Sequence, residues 1–383
     1  MKAQISFVEY IVSFSIFSVF VAYLFFRLLS YMPAYLNELR GEKLRSEAYQ
    51  LSEFLINDLG EPLSWASLVG YWKFDEIAGI DAADSSGFGN DGTLINFDFT
   101  PESGWTSGCV IGSCLRFDGL NDYISIPSSP FLNSQEFTYE AWIKPLISTN
   151  EVYGPTLFMR ETSAGDNVFL MRAGINRIGI GKITCEWPPD WWSVNYPFEE
   201  GKWYHVVCAA SKTKREIYVN GSLVGEMDRT NGLDYSDAGR LFIGQDQDDG
   251  NPSDFFNGTI DNAKFYSVAL SAKEIKTRYE AGAVGKEENF IKRIGLSSIE
   301  NKTNYLSYGK VKKFAYYCTS NYDLVKKWIG ADYQFLIAVS DNSGSISAVC
   351  IPPRAIIRGV NATIKRFVAF DTNSYGELTV YVW

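Results

Sequence analysis

Histidine is almost absent from this chain: there is one, His205, in 383 residues. It lies inside the apolar run "WYHVV", which reads as a packed strand residue and not as a catalytic base. Cysteine is sparse as well, and none of the six shows the C-x-x-C spacing of a zinc site or a redox motif. Positive charge is in deficit, with a net charge of −10, which argues against nucleic acid as the general partner. The long apolar run near the N-terminus is not followed by an Ala-x-Ala type cleavage site, so an ordinary removed signal peptide is not expected.

The residues that are plentiful describe a folded, exported protein. Hydrophobic residues make up 46% and aromatics 15%, with 32 glycines, a balance that suits β-rich domains and excludes a disordered chain. Charge is unevenly placed: residues 1–66 carry −2, residues 67–285 carry −13 and residues 286–383 carry +5, so the middle and the end read as different domains. The cysteines fall into three local pairs, Cys109 with Cys114, Cys185 with Cys208 and Cys318 with Cys350. An even count in local pairs predicts three disulfides and an oxidising compartment. Sequons at Asn220, Asn257, Asn301 and Asn361 agree with export.

From Ile5 to Phe26 the chain is apolar apart from small hydroxylated residues and Glu9. About 20 such residues span a bilayer, so a transmembrane helix is expected here. Helical patterning continues beyond Pro33, with Leu44, Leu51 and Leu55 on one face, predicting one long helix over about 5–58 with a kink near Pro33. A carboxylate inside hydrocarbon is costly unless it reaches the interface or a partner, which singles out Glu9. The stretch "KAQISFVEYIVSF" resembles the start of an archaeal type IV pilin-like precursor. That resemblance implies removal of a short basic leader, and a Glu near the new N-terminus that pairs with a neighbouring subunit's amine. Cleavage before Gln4 would put Glu9 at mature position 6, and cleavage after Gln4 at position 5. Flanking positive charges favour a cytoplasmic C-terminal side. The cysteine pairs and the pilin resemblance place the C-terminal domains outside, and we adopt that orientation.

Residues 67–283 read as strands of four to eight residues separated by Gly, Asn, Asp and Pro turns, among them "CLRFDG", "YISIP", "FTYEAWIKP", "NVFLMRAG", "WYHVVCAAS" and "RLFIGQD". Asn220-Gly221 between "REIYV" and "SLVGEM" predicts a hairpin, because a type I′ turn needs two residues with positive φ. About ten such strands predict a two-sheet sandwich or jelly roll. The ordered anchors "GYWKFDE", "LRFDGLNDYISIP", "FTYEAWIKP", "WYHVVCAAS", "REIYVNGSLVG" and "FNGTIDNAKFYSVALS" resemble LamG-like, concanavalin-type jelly rolls. The fold expected is therefore mainly β: a jelly-roll sandwich with a long N-terminal transmembrane helix and a small α+β C-terminal domain.

The resemblance implies a domain that binds glycans or proteins, often with a structural Ca²⁺. It puts a calcium-ligating Asp at Asp261, with Asp118 and Asp75 as further candidates. The loop acids Asp246, Asp248, Asp249 and Asp254 are candidates for a second ion, or else a solvated turn with ordinary pKa values. Glycanases of the superfamily carry an E-x-D-x-E type stripe on one strand, and no strand here shows it, which counts against glycoside hydrolysis. The ligand candidate is the loop "CEWPPDWWSVNYPF", whose Trp187, Trp191, Trp192 and Tyr196 lack strand alternation. Exposed rings there would stack on sugars; folded back, they would cap the sandwich.

Residues 286–383 show helical stretches near 308–317 and 322–329 and four strands. "IKRIGLSSIENKTNYLSYGKVKKF" resembles the globular heads of small archaeal pilin-like proteins. In them "GEPLSW" would run almost directly into "IKRIGLSS". The expected organisation is thus a pilin-like host, residues 1–63 and 286–383, with the jelly roll at 67–283 inserted into a surface loop. Three functions follow as expectations. The first is a membrane-anchored adhesin binding a glycan or surface protein. The second is a structural minor pilin or envelope component, packing against other pilin subunits. The third and weakest is a membrane-bound glycan hydrolase.

Overall fold

A computed structural model of the chain describes residues 2–62, 64–148, 153–165, 167–248, 250–286, 291–298, 304–344, 346–354 and 361–383. Two compact units emerge, one from 1–59 with 293–383 and the other from 60–292.

The first unit begins with helix α1 (Lys2–Asn57), which passes through Pro33 as one element. Its apolar side chains from Phe7 to Leu39 are exposed, so this half has no protein core to face and is long and apolar enough to cross a membrane. Glu9 lies exposed on this half, and the side chain of Gln4 is outside the described residues. The second half is amphipathic. Leu44, Ala48, Leu51 and Leu55, spaced at three to four residues, are buried against an antiparallel pair, Ala362–Phe370 with Tyr375–Val382. Arg366 of that pair donates to Glu53 (2.5 Å) and Ser52 (3.2 Å) on the helix. Phe335–Asp341 and Ser347–Cys350 extend the sheet on one side, and Tyr305–Leu306 on the other. Helices α3 (Tyr308–Ser320) and α4 (Tyr322–Ile329) complete the unit, and the Cys318–Cys350 disulfide ties α3 to the edge strand. Where the chain is interrupted, Arg293 pairs with Asp58 at 3.1 Å.

The second unit is a sandwich of two eight-stranded sheets, and its core follows from period-two alternation. On Phe137–Pro145, for example, Phe137, Tyr139, Ala141 and Ile143 point into the core, while Thr138, Glu140, Trp142 and Lys144 occupy the opposite face. The first sheet runs Ser222–Asp228, Lys214–Val219, Tyr204–Ala210, Phe137–Pro145, Asn257–Tyr266, Cys114–Asp118, Gly104–Thr106, with Leu68–Trp72 also on Asn257–Tyr266. In the second sheet Asn167–Ile175, Thr156–Thr162, Ala238–Ile243 and Tyr123–Ile126 are central. Asn220 (φ 50°) and Gly221 (φ 72°) make the expected hairpin turn. The Cys185–Cys208 disulfide links the strand that precedes it in the second sheet to the centre of the first.

Helix α2 (Ala272–Gly282) is started by a capping box between Ser271 and Glu274 and lies on the outer face of the first sheet. There it covers Val207, Ala209 and Tyr266. Its last residue, Gly282, sits so close to the Trp142 indole that a Cβ would fall 2.7 Å from the ring. The unit's two ends meet where Lys292 donates through its amide to the Glu61 carbonyl at 2.8 Å.

Candidate functional site

The four aromatic rings proposed as a ligand platform do not share a surface. Trp187 is 1% exposed, a core residue packed on Phe137 and Phe169, with ring centres 5.9 and 6.4 Å away. The expectation that it meets ligand is therefore corrected. Ile183, Cys185 and Trp187 alternate into the core, and the disulfide holds this phase. Trp192 and Tyr196 are partly buried against the same core, the Tyr196 ring tilted against Phe198 with centres 4.8 Å apart. Trp191 is exposed.

An open groove forms elsewhere, on the outer face of the first sheet just beyond the end of α2. Antiparallel register aligns Arg116, Thr259 and Lys144 side by side on three neighbouring strands, about 5 Å apart from one strand to the next. Trp203, directly before the adjacent strand, forms one wall, and Thr106 to Gly108 the other. The indole N–H donates to the Gly108 carbonyl at 3.2 Å, which fixes the ring across the groove. The cavity measures ≈ 240 Å³. Arg116 donates to the carbonyl oxygens of Phe117 and Gly258 and to Asn257 Oδ1. Sequence reading missed this site.

Residues 117–276 carry a concanavalin A-like lectin/glucanase domain. No curated protein matches the chain. Among solved structures, it is similar to domain 4 of AbnA, an extracellular GH43 arabinanase of Geobacillus stearothermophilus, in complex with arabinotriose. Identity there is 19%, over 55% of this chain and 97% of that one, with TM-score 0.43. The receptor-binding domain of botulinum neurotoxin mosaic serotype C/D is 15% identical over 56% of this chain and 51% of that one, with TM-score 0.42. Trypanosoma rangeli sialidase is 18% identical over 58% of this chain and 34% of that one, with TM-score 0.42. The chain thus spans about half of the toxin domain and a third of the sialidase.

The acids of this lectin-like jelly roll are committed to its own backbone. Asp261 Oδ2 accepts the amides of Val110 (2.8 Å) and Ile111 (3.0 Å), and its Oδ1 accepts Asn262 Nδ2. Asp75 Oδ1 accepts the Ser113 amide at 2.7 Å, so both carboxylates hold the short Cys109–Cys114 disulfide loop. Asp118 Oδ1 caps its own turn, accepting from Leu120 and Asn121. Asp118 lies opposite Asn257, four residues from Asp261 on one strand, and so about 13 Å away. Asp118 is therefore too far from Asp261 to share an ion with it. Among the described residues no three His, Cys, Asp or Glu side chains converge to hold a metal ion.

Two of the loop acids, Asp246 and Asp254, differ from the solvated turn expected of them, while Asp248 is exposed as expected. Asp246 is buried, and Arg172 Nη2 donates to Asp246 (2.7 Å) and Asp254 (2.8 Å). Burial pushes Asp246 up to about 7 against the pull of that guanidinium. Asp248 accepts from Ser253 Oγ, and Asp249 lies outside the described residues.

His205 is a buried strand residue under α2, its Nε2 3.7 Å from Glu140 Oε2. Burial would raise the Glu140 carboxyl, but Lys264, His205 and Arg278 outweigh it and hold it well below the usual carboxylate range. A general acid needs the opposite shift.

Proposed function

We propose that this is a membrane-anchored surface protein whose jelly roll binds carbohydrate in the groove beside Trp203. The observation that carries this reading is the indole fixed across an open row of polar side chains from three strands. An amphipathic ring face with convergent hydrogen-bonding groups suits a sugar, which has an apolar face and a polar rim. The exposed apolar half of α1 supports a membrane anchor, and three disulfides support an extracytoplasmic position for the rest. We read the unit built on α1 as the pilin-like host of the sequence resemblance, with cleavage near Gln4 and Glu9 serving assembly with other subunits. Display of a sugar-binding module on such a host makes the protein an adhesin.

A second reading, a structural subunit without lectin activity, is favoured by the burial of Trp187 and the packing of Trp192 and Tyr196. Glycan-array binding by the detergent-solubilised full chain separates the two. Binding that is lost in Trp203→Ala and kept in Trp191→Ala supports the lectin. No binding to any glycan leaves the structural subunit.

A further inference from the structure

The groove also carries a charge pattern that bears on which sugar it takes, an inference resting on the carbohydrate-binding reading above. Lys144 makes no ion pair among the described residues, although it stands in a section of chain with net charge −13. Its neighbour Arg116 is spent on carbonyl oxygens and an amide oxygen, not on a carboxylate, with Asp118, Asp122 and Glu102 as the nearest acids acting on it. Two cations therefore stand at the two ends of the Arg116–Thr259–Lys144 row without a bonded anion, about 10 Å apart, with a hydroxyl between them and an indole wall. An acidic domain repels anions in general, so Lys144, a groove cation with no ion pair among the described residues, is a local feature and not part of a diffuse basic surface.

We infer that the groove selects a carboxylated sugar, a hexuronate unit of an acidic glycan. Its ring face lies on Trp203, its carboxylate meets the Lys144 ammonium, and a ring hydroxyl meets Thr259. A charge-assisted hydrogen bond is about twice as strong as a neutral one, so the carboxylate decides between otherwise similar rings.

The test uses the full chain in detergent, titrated with methyl glucuronide and methyl glucoside and followed by saturation-transfer NMR. The expected result is about tenfold tighter binding of the glucuronide. That preference is erased in Lys144→Gln, kept in Lys144→Arg, and weakened by 0.5 M NaCl, since salt screens an exposed charge pair. Lys144 is half-exposed at the groove, and an unchanged unfolding temperature confirms that each variant folds. Equal affinity for the two sugars in the unmodified protein overturns the inference and leaves the carbohydrate reading standing. Binding of neither sugar overturns the inference, while the glycan array decides the carbohydrate reading.

Discussion

The guanidinium of Arg215 lies 4.2 Å from the centre of the Trp187 indole, and both side chains are buried. Arg229 approaches the same ring at 5.3 Å, and Arg215 pairs with Asp190 at 3.3 Å. One of the four rings offered as a ligand platform is thus the underside of the loop. It is clamped by cation–π contacts whose strength rises when the cation is desolvated.

Truncating that ring should act on stability. Trp187→Ala removes a buried aromatic and leaves a cavity, at a cost of about 3–5 kcal/mol. Trp191→Ala, at an exposed position, should stay within about 0.5 kcal/mol. Thermal unfolding of the two variants checks this, and equal unfolding temperatures would contradict the assigned burial.

A pH effect should come from Asp122, which is fully buried and pushed up to about 6, mainly by desolvation. Its Oδ2 accepts the Asp118 amide at 2.9 Å, and the Ser103 hydroxyl also favours the charged form, but neither offsets the burial. Between about pH 4 and 6 the folded protein holds a proton that the unfolded chain has released, so stability falls as pH rises through this window. The penalty is complete above it. Asp122→Asn should therefore stabilise the protein at pH 7.5 by about 1–3 kcal/mol and confer little below pH 4. A gain of the same size at both pH values would show that ionisation is not its source.

Chelation offers a third check. With Asp261 and Asp75 holding the amides of the Cys109–Cys114 loop, the fold is expected to keep its unfolding temperature in excess EDTA. A fall of several degrees, restored by added calcium, would mean that an ion contributes where these carboxylates lie.

How much of this was legible beforehand depends on whether a feature lives on one strand or on several. Phe137–Pro145, Tyr204–Ala210 and Asn257–Tyr266 announce themselves because one face of each is apolar and the period is two. Thr156–Thr162 was missed. A bulge between Thr156 and Phe158 breaks its alternation, and Met159 joins a second apolar cluster with Leu170 and Phe242 on the far face.

The site shows the same division. Trp187 could have been placed by extending the Ile183–Cys185 alternation two residues further. Asp246 looked solvated because its loop is rich in Gly and Pro, whereas the group that draws it inward, Arg172, comes from a distant strand. Arg116, Thr259 and Lys144 each look like an ordinary outward-facing strand residue. Only the sheet order and register, which no local pattern encodes, bring them into one row beside Trp203.

The most direct test is to incorporate 5-fluorotryptophan into the full chain, with its 10 tryptophans, and assign the Trp203 resonance by Trp203→Phe. A glycan that binds on the array is then titrated while the ¹⁹F spectrum is followed. The account predicts that the Trp203 signal moves with saturation while those of Trp187 and Trp191 stay in place. Movement of Trp191 with Trp203 unmoved would put the ligand on the disulfide-braced loop and contradict the assignment of the groove.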